Sequence, residues 1–158
     1  EIGVLASMQP IPCAADMRFV EPRIGAERAK GAYAWRSLLS HQAVLAFGSD
    51  WPVETLDPMA GIHAAVTRQD EHHQPPAGWQ PQERVTVAEA LRAYTGTAAY
   101  AAFWEDSMGT IEEGKLADFT VLSQDLFAIP PEVILNTRVL ATIVGGEVVF
   151  RAPATSER

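Results

Sequence analysis

Apolar residues fall along this chain in two styles, and the style changes near Glu105. Before it, Val4 to Met8 and Ala43 to Phe47 are short continuous apolar runs, the pattern of strands buried on both faces. Gln9-Pro10-Ile11-Pro12 ends the first run and predicts a loop continuing through Asp16 and Glu21-Pro22. From about Glu27, Ala29, Ala32, Tyr33, Trp35 and Leu39 recur at helical spacing, which predicts a helix ending near His41-Gln42. Strand, helix and strand in this order form the βαβ unit of a parallel sheet, with a right-handed crossover. Asp57-Pro58 then reads as an N-cap with proline at the first helical position, and Met59, Ile62 and Val66 mark the buried side of a helix to about Arg68. Gln69 to Arg84 is polar and proline-rich, a loop long enough to be either functional or disordered. Thr86-Val-Ala-Glu89 is a capping box, and Ala90, Leu91, Tyr94 and Ala98 to Phe103 predict a buried helix or a pair broken at Gly96.

After Glu105 the chain is turn-rich. Phe119 to Leu122 reads as a short strand, and Pro130-Pro131-Glu132 can open a brief helix. Val139 to Val144, Gly145-Gly146 and Val148 to Phe150 read as a hairpin on a glycine turn. The tail from Ala152 to Arg158 is polar and expected to be mobile. The class is therefore α/β, with a boundary expected between residues 1–104 and 105–158.

Charge and composition narrow the partners. Over 158 residues the formal net charge is −8, which argues against nucleic acid and against an anionic membrane surface. A single cysteine, Cys13, permits no intrachain disulfide and fits a reducing, cytoplasmic compartment. No apolar run approaches the roughly 20 residues that span a bilayer. The chain opens at Glu1-Ile2-Gly3 and runs almost at once into an apolar stretch, as though cut from something longer.

Asp50 stands out among the polar residues. It arrives just after Phe47 and Gly48, where the second strand stops, and Trp51-Pro52 ends regular structure behind it. A carboxylate at the C-terminal end of a parallel strand is placed for catalysis or metal ligation, although an Asp there can equally cap a turn. Cys13 is either a soft ligand or a small buried hydrophobe. His63, on the face of Met59 and Val66, reads as a packed, hydrogen-bonded histidine, and His41 suits a helix C-terminus. His72-His73 reads as a solvated pair. Arg68 can contact substrate or pair with Asp70 or Glu71, and Trp79 can line a cleft or pin the long loop.

Three segments taken together, Phe47-Gly-Ser-Asp50-Trp-Pro, Gly109 to Phe119 and Val144-Gly-Gly-Glu-Val-Val, resemble the C-terminal part of the amidohydrolase superfamily, in particular its YtcJ-like metal-dependent hydrolases. The resemblance runs from Val4 to Phe150. It implies the last strands of a (β/α)8 barrel followed by part of a small β-sandwich. It also implies one or two divalent metals, usually zinc, at the strand ends. The matching Asp50 would then be both a metal ligand and the group that moves a proton from the attacking water to the leaving amine. Trp79 and Pro12 fall at substrate-binding positions, while the histidine that relatives carry after Gln-Pro is replaced here by Ile11-Pro12-Cys13. Lys115 and Asp118 fall in the structural return to the sandwich and are expected to fix turns.

The resulting expectation is the C-terminal part of a metal-dependent hydrolase that cleaves a C–N bond in a small amide-type molecule. The alternative is a non-catalytic fragment or assembly module that keeps the fold without a working metal site. The family's His-x-His pair is absent, and only two strands of the eight in a barrel are seen. One carboxylate does not hold a metal tightly, and the strands want neighbours from a missing N-terminal part of the barrel. A homo-oligomer follows as the expected state.

Overall fold

The computed structural model describes residues 3–153, so most of the tail lies outside the described residues. Strand β1 (Ala6–Met8) pairs in parallel with β2 (Leu45–Phe47), in the register Ala6 with Leu45 and Met8 with Phe47. Both strands are shorter than their apolar runs, and Val4 and Val44 at the ends of those runs are exposed. Their pairing reaches one step further at each end, through Ala6 N–H to Val44 O at 2.8 Å and Gly48 N–H to Met8 O at 3.2 Å.

The connection between them departs from the expected loop. Helix α1 (Pro10–Ile24) occupies the whole stretch. Pro10 and Pro12 lie in its first turn, where backbone N–H groups have no helical partner, so neither breaks it. Pro22 falls inside the last turn, and Gly25, at φ 81°, closes the helix by donating to Glu21 O at 2.9 Å. The single helix expected from Glu27 is instead two pieces, α2 (Ala26–Ala29) and α3 (Trp35–Ser40). Tyr33, at φ 52°, turns the chain between them, and Trp35 beyond the turn is fully buried. Tyr33 is tied in place by its hydroxyl, which donates to Asp16 Oδ2 at 2.7 Å.

Helix α4 (Pro58–Thr67) follows its sequence signals: Asp57 Oδ1 accepts from Met59 N–H at 2.9 Å, and Arg68 ends the helix at φ 62°. Helices α5 (Val87–Tyr94) and α6 (Gly96–Ala101) follow, the first opened by the complete Thr86–Glu89 capping box. Glu89 also holds Arg36 in a two-armed ion pair, Nη1 to Oε1 at 2.7 Å, which ties α5 to α3 and pushes the Glu89 carboxyl down to about 2. Gly61 is where α4 meets α5, since a Cβ there would lie 1.8 Å from the Tyr94 hydroxyl.

The core gathers Trp35, Leu45, Phe47, Met59, Ile62 and Ala93 around β2. The Trp35 and Phe47 rings meet edge to face at 5.5 Å, and Phe47 meets Tyr94 likewise at 5.6 Å. Leu126 and Ile134 join the same core, the latter on a short 3-10 helix (Pro131–Asn136) packed against α4. Beyond it lies an antiparallel sheet ordered β3 (Phe119–Leu122), β4 (Val139–Val144), β5 (Glu147–Arg151). Gly145 and Gly146 both take positive φ, at 58° and 85°, the geometry of a type I′ hairpin turn. Asp118 Oδ1 accepts from Gly145 N–H at 2.7 Å, so Asp118 fixes this turn as expected. Lys115 does the same for the preceding loop through Thr110 and Glu112.

Candidate functional site

Parallel pairing brings the C-terminal ends of β1 and β2 to one edge, so the start of α1 and the Gly48-Ser49-Asp50 segment emerge side by side. Asp50 is exposed and sits at φ 59°, a left-handed conformation that Asp tolerates better than most residues. Its carbonyl accepts from Val53 N–H at 2.9 Å, which bends the chain back toward α4. Pro12 lies half-buried in the first turn of α1, on the neighbouring strand's exit. The fold therefore brings the exits carrying Pro12 and Asp50 to the same edge of the sheet.

Trp79 belongs to a different arrangement. Its backbone N–H donates to Arg68 O at 2.8 Å, and its carbonyl accepts from Arg68 Nε at 2.9 Å. The Arg68 guanidinium lies 4.5 Å from the Trp35 ring and 5.0 Å from the Trp79 ring, and Nη1 donates to Tyr33 O at 2.8 Å. The expected pairing of Arg68 with Asp70 or Glu71 is therefore corrected. Its left-handed position at the end of α4 accompanies an inward path, leaving the side chain 1% exposed among indoles and carbonyls, where burial pushes its pKa down. Asp70 instead caps its own turn, accepting from His72 N–H at 2.8 Å and Gln74 N–H at 2.9 Å. With Gln80 Nε2 donating to Ala29 O and Arg84 Nε to Thr67 O, the long loop is tied down along its length.

The histidines divide. His41 Nδ1 lies 2.7 Å from Ser37 O at the end of α3, the helix-end position anticipated for it. His72 and His73 are exposed, as a solvated pair should be, although the His73 ring also meets His63 edge to face at 5.3 Å. His63 is packed as expected, at 1% exposure, but it is not hydrogen-bonded at Nε2, which has no partner among the described residues. Burial holds its imidazole at about 4, hence neutral at pH 7. Cys13 is buried, and burial pushes its thiol up to about 12, the condition of a small hydrophobe.

A resident metal needs several converging donors. Among the described residues no three His, Cys, Asp or Glu side chains form such a group, so Asp50 alone does not fit one. Nor is any helix among them long and apolar enough to cross a membrane.

The site is a strand-end carboxylate in an α/β framework, with a glycine-turned hairpin later in the chain. A sequence model of the amidohydrolase family matches residues 1–150, and the chain belongs to that family. YtcJ of Bacillus subtilis (strain 168) is 39% identical over 147 residues, covering 93% of this chain and 28% of that protein. The N-substituted formamide deformylase of Arthrobacter pascens is 34% identical over 111 residues, covering 70% of this chain and 20% of the enzyme. Among solved structures, an uncharacterized metal-dependent hydrolase from Pyrococcus horikoshii OT3 superposes with a TM-score of 0.69 at 29% identity, covering 82% of this chain and 26% of the other. The chain thus spans about a quarter of the length of the proteins it matches.

The sequence left two features of this region unread, the inward Arg68 and the unpartnered His63. The first had a signal in Trp35 and Trp79, aromatic faces that can hold a guanidinium. The second had none, since the partners of a buried imidazole come from other elements.

Proposed function

We propose that this chain is the C-terminal part of a metal-dependent hydrolase, bearing the last strands of a (β/α)8 barrel and part of a β-sandwich. The complete enzyme hydrolyses a C–N bond in a small amide-type substrate. The observation that carries this reading is Asp50, exposed at the C-terminal end of β2 beside the exit of β1. The deformylase relative supports the choice of a C–N bond. In this reading Asp50 is one donor to a divalent metal, zinc, whose other ligands lie outside the described residues. The chemical role of Asp50 itself is proton transfer: its carboxylate takes a proton from the attacking water and delivers it to the departing nitrogen. Asp50→Asn in the full-length enzyme should lower kcat by roughly 10²-fold or more with the fold intact. Near-normal turnover by that variant would remove Asp50 from the chemistry.

Pro12 and Trp79 are the proposed substrate contacts. Pro12→Ala should raise KM with little loss of stability, because Pro12 stands at the sheet edge that carries Asp50. Trp79→Ala separates two roles: a changed KM or substrate preference supports contact with substrate. A stability loss of about 2–4 kcal/mol with unchanged kinetics would leave Trp79 only as the anchor that its packing against Arg68 and Tyr33 makes it.

A further inference from the structure

The loop that leaves β2 holds three large apolar side chains in the open: Trp51 is 64% accessible, Val53 69% and Leu56 64%. A loose segment does not account for them, since the loop is fastened at both ends. At its start, Val53 N–H donates to Asp50 O at 2.9 Å, which closes a four-residue turn with Trp51 and Pro52 at its corner. At its end, Asp57 N–H donates to Thr55 Oγ1 at 3.3 Å, and Asp57 caps α4. Between these points the polar residues Glu54 and Thr55 line a cleft shared with Ile11 and Ala14 of α1. The closed turn keeps the Val53 Cα within about 7 Å of the Asp50 Cα, and Trp51 is the chain neighbour of Asp50. The strand-end carboxylate and the bare apolar side chains thus arise from one fixed piece of backbone.

In a barrel of parallel strands the substrate cleft is walled by the loops that follow the strands, and this is such a loop. Apolar side chains held in water on a fastened loop are stabilisation that only a covering group realises. We propose that Trp51, Val53 and Leu56 form an apolar wall that receives an alkyl or aryl group on the departing nitrogen of the substrate. The inference rests on the hydrolase reading above, in which Asp50 delivers a proton to that nitrogen. Side chains from the Asp50 turn then stand beside the substituent on nitrogen and not beside the acyl group. The substrate class is accordingly an N-substituted amide that releases an apolar amine. Another segment of the protein is the competing cover for these side chains, and it would show in stability and not in substrate preference.

The experiment compares hydrolysis of N-butylformamide and N-methylformamide by the full-length enzyme, read as released amine. Covering one methylene gains about fourfold in kcat/KM, so three more should favour the butyl substrate by roughly 50-fold, through KM. Trp51→Ala should cut that ratio to below about tenfold, and Trp51→Ala with Val53→Ser should bring it near one. Should the double variant fail to fold, Leu56→Ser is read in its place against the same ratio. A ratio near one in the unmodified enzyme would overturn this inference and leave the hydrolase reading standing. A ratio that the variants do not change would overturn it too, and lowered thermal midpoints would then assign the cover to another segment of the protein. Hydrolysis of neither formamide would remove the inference together with the small-amide reading on which it rests.

Discussion

The two sheets of this chain are nearly opposite in how they are held. In the parallel pair, β2 reads Leu-Ala-Phe and all three residues are buried beneath helices. In the antiparallel sheet, β5 reads Glu-Val-Val-Phe-Arg and every residue is exposed, with Val149 61% and Phe150 48% accessible. Apolarity of the strand does not explain the contrast. A strand is buried by the layer laid over it, and α3, α5 and α6 supply that layer to β2, while no helix packs comparably on the outer sheet. The outer sheet coheres through its backbone ladder, the two-glycine turn and the Asp118 clamp. At roughly 25 cal/mol per Å² of apolar surface, its bare valines and phenylalanines are stabilisation not yet realised within the described residues.

The contrast breaks most visibly at Trp35. Replacing this fully buried ring by alanine should cost about 3–5 kcal/mol in urea unfolding, from lost burial and the cavity left behind. A loss below about 1 kcal/mol would mean that the layer over β2 does not carry the fold.

His63 sharpens the contrast through pH. Its pKa is lowered from 6.5 to about 4, so the unfolded chain takes up a proton that the folded chain resists. Stability should therefore be fully present above pH 6.5 and decline as pH falls toward 4, by about 3 kcal/mol over the window. His63→Leu should flatten this part of the stability–pH curve. An unchanged slope in the variant would assign the dependence to other groups.

The smallest effect on the chain's own stability is expected in the outer sheet. Val149→Thr should shift it by less than about 0.5 kcal/mol, as surface substitutions do. The exposed outer strand β5 is where we propose that copies of the chain associate. Light scattering should show species larger than a monomer, and Val148→Lys with Phe150→Lys should reduce them. A monodisperse monomer before substitution would leave this face without a role in self-association.

The legible parts of the fold were those whose signals are local. Asp57-Pro58 and the Thr86–Glu89 box opened α4 and α5 as read, because a cap is a bond between near neighbours in the chain. Gly145-Gly146 announced its hairpin for a similar reason. Helix α1 was misread because its prolines look like breakers, whereas two of them sit in the first turn, which lacks the bonds that proline would remove. Asp50 was legible as a strand-end carboxylate, since its position follows from the run before it.

What the sequence determined by itself, then, was the strands, the caps of α4 and α5, the hairpin turn, the family and the place of Asp50 at a strand end. These rest on backbone geometry and side-chain contacts within a few residues. Tertiary structure alone decided where the long side chains went. Arg68 turned inward to two indoles from distant segments, Trp79 lies on its guanidinium, and His63 and Gln69 are buried with one polar atom each left unpaired among the described residues. A buried polar group takes its partners from whatever elements pack around it, and the chain does not name those partners until it has folded.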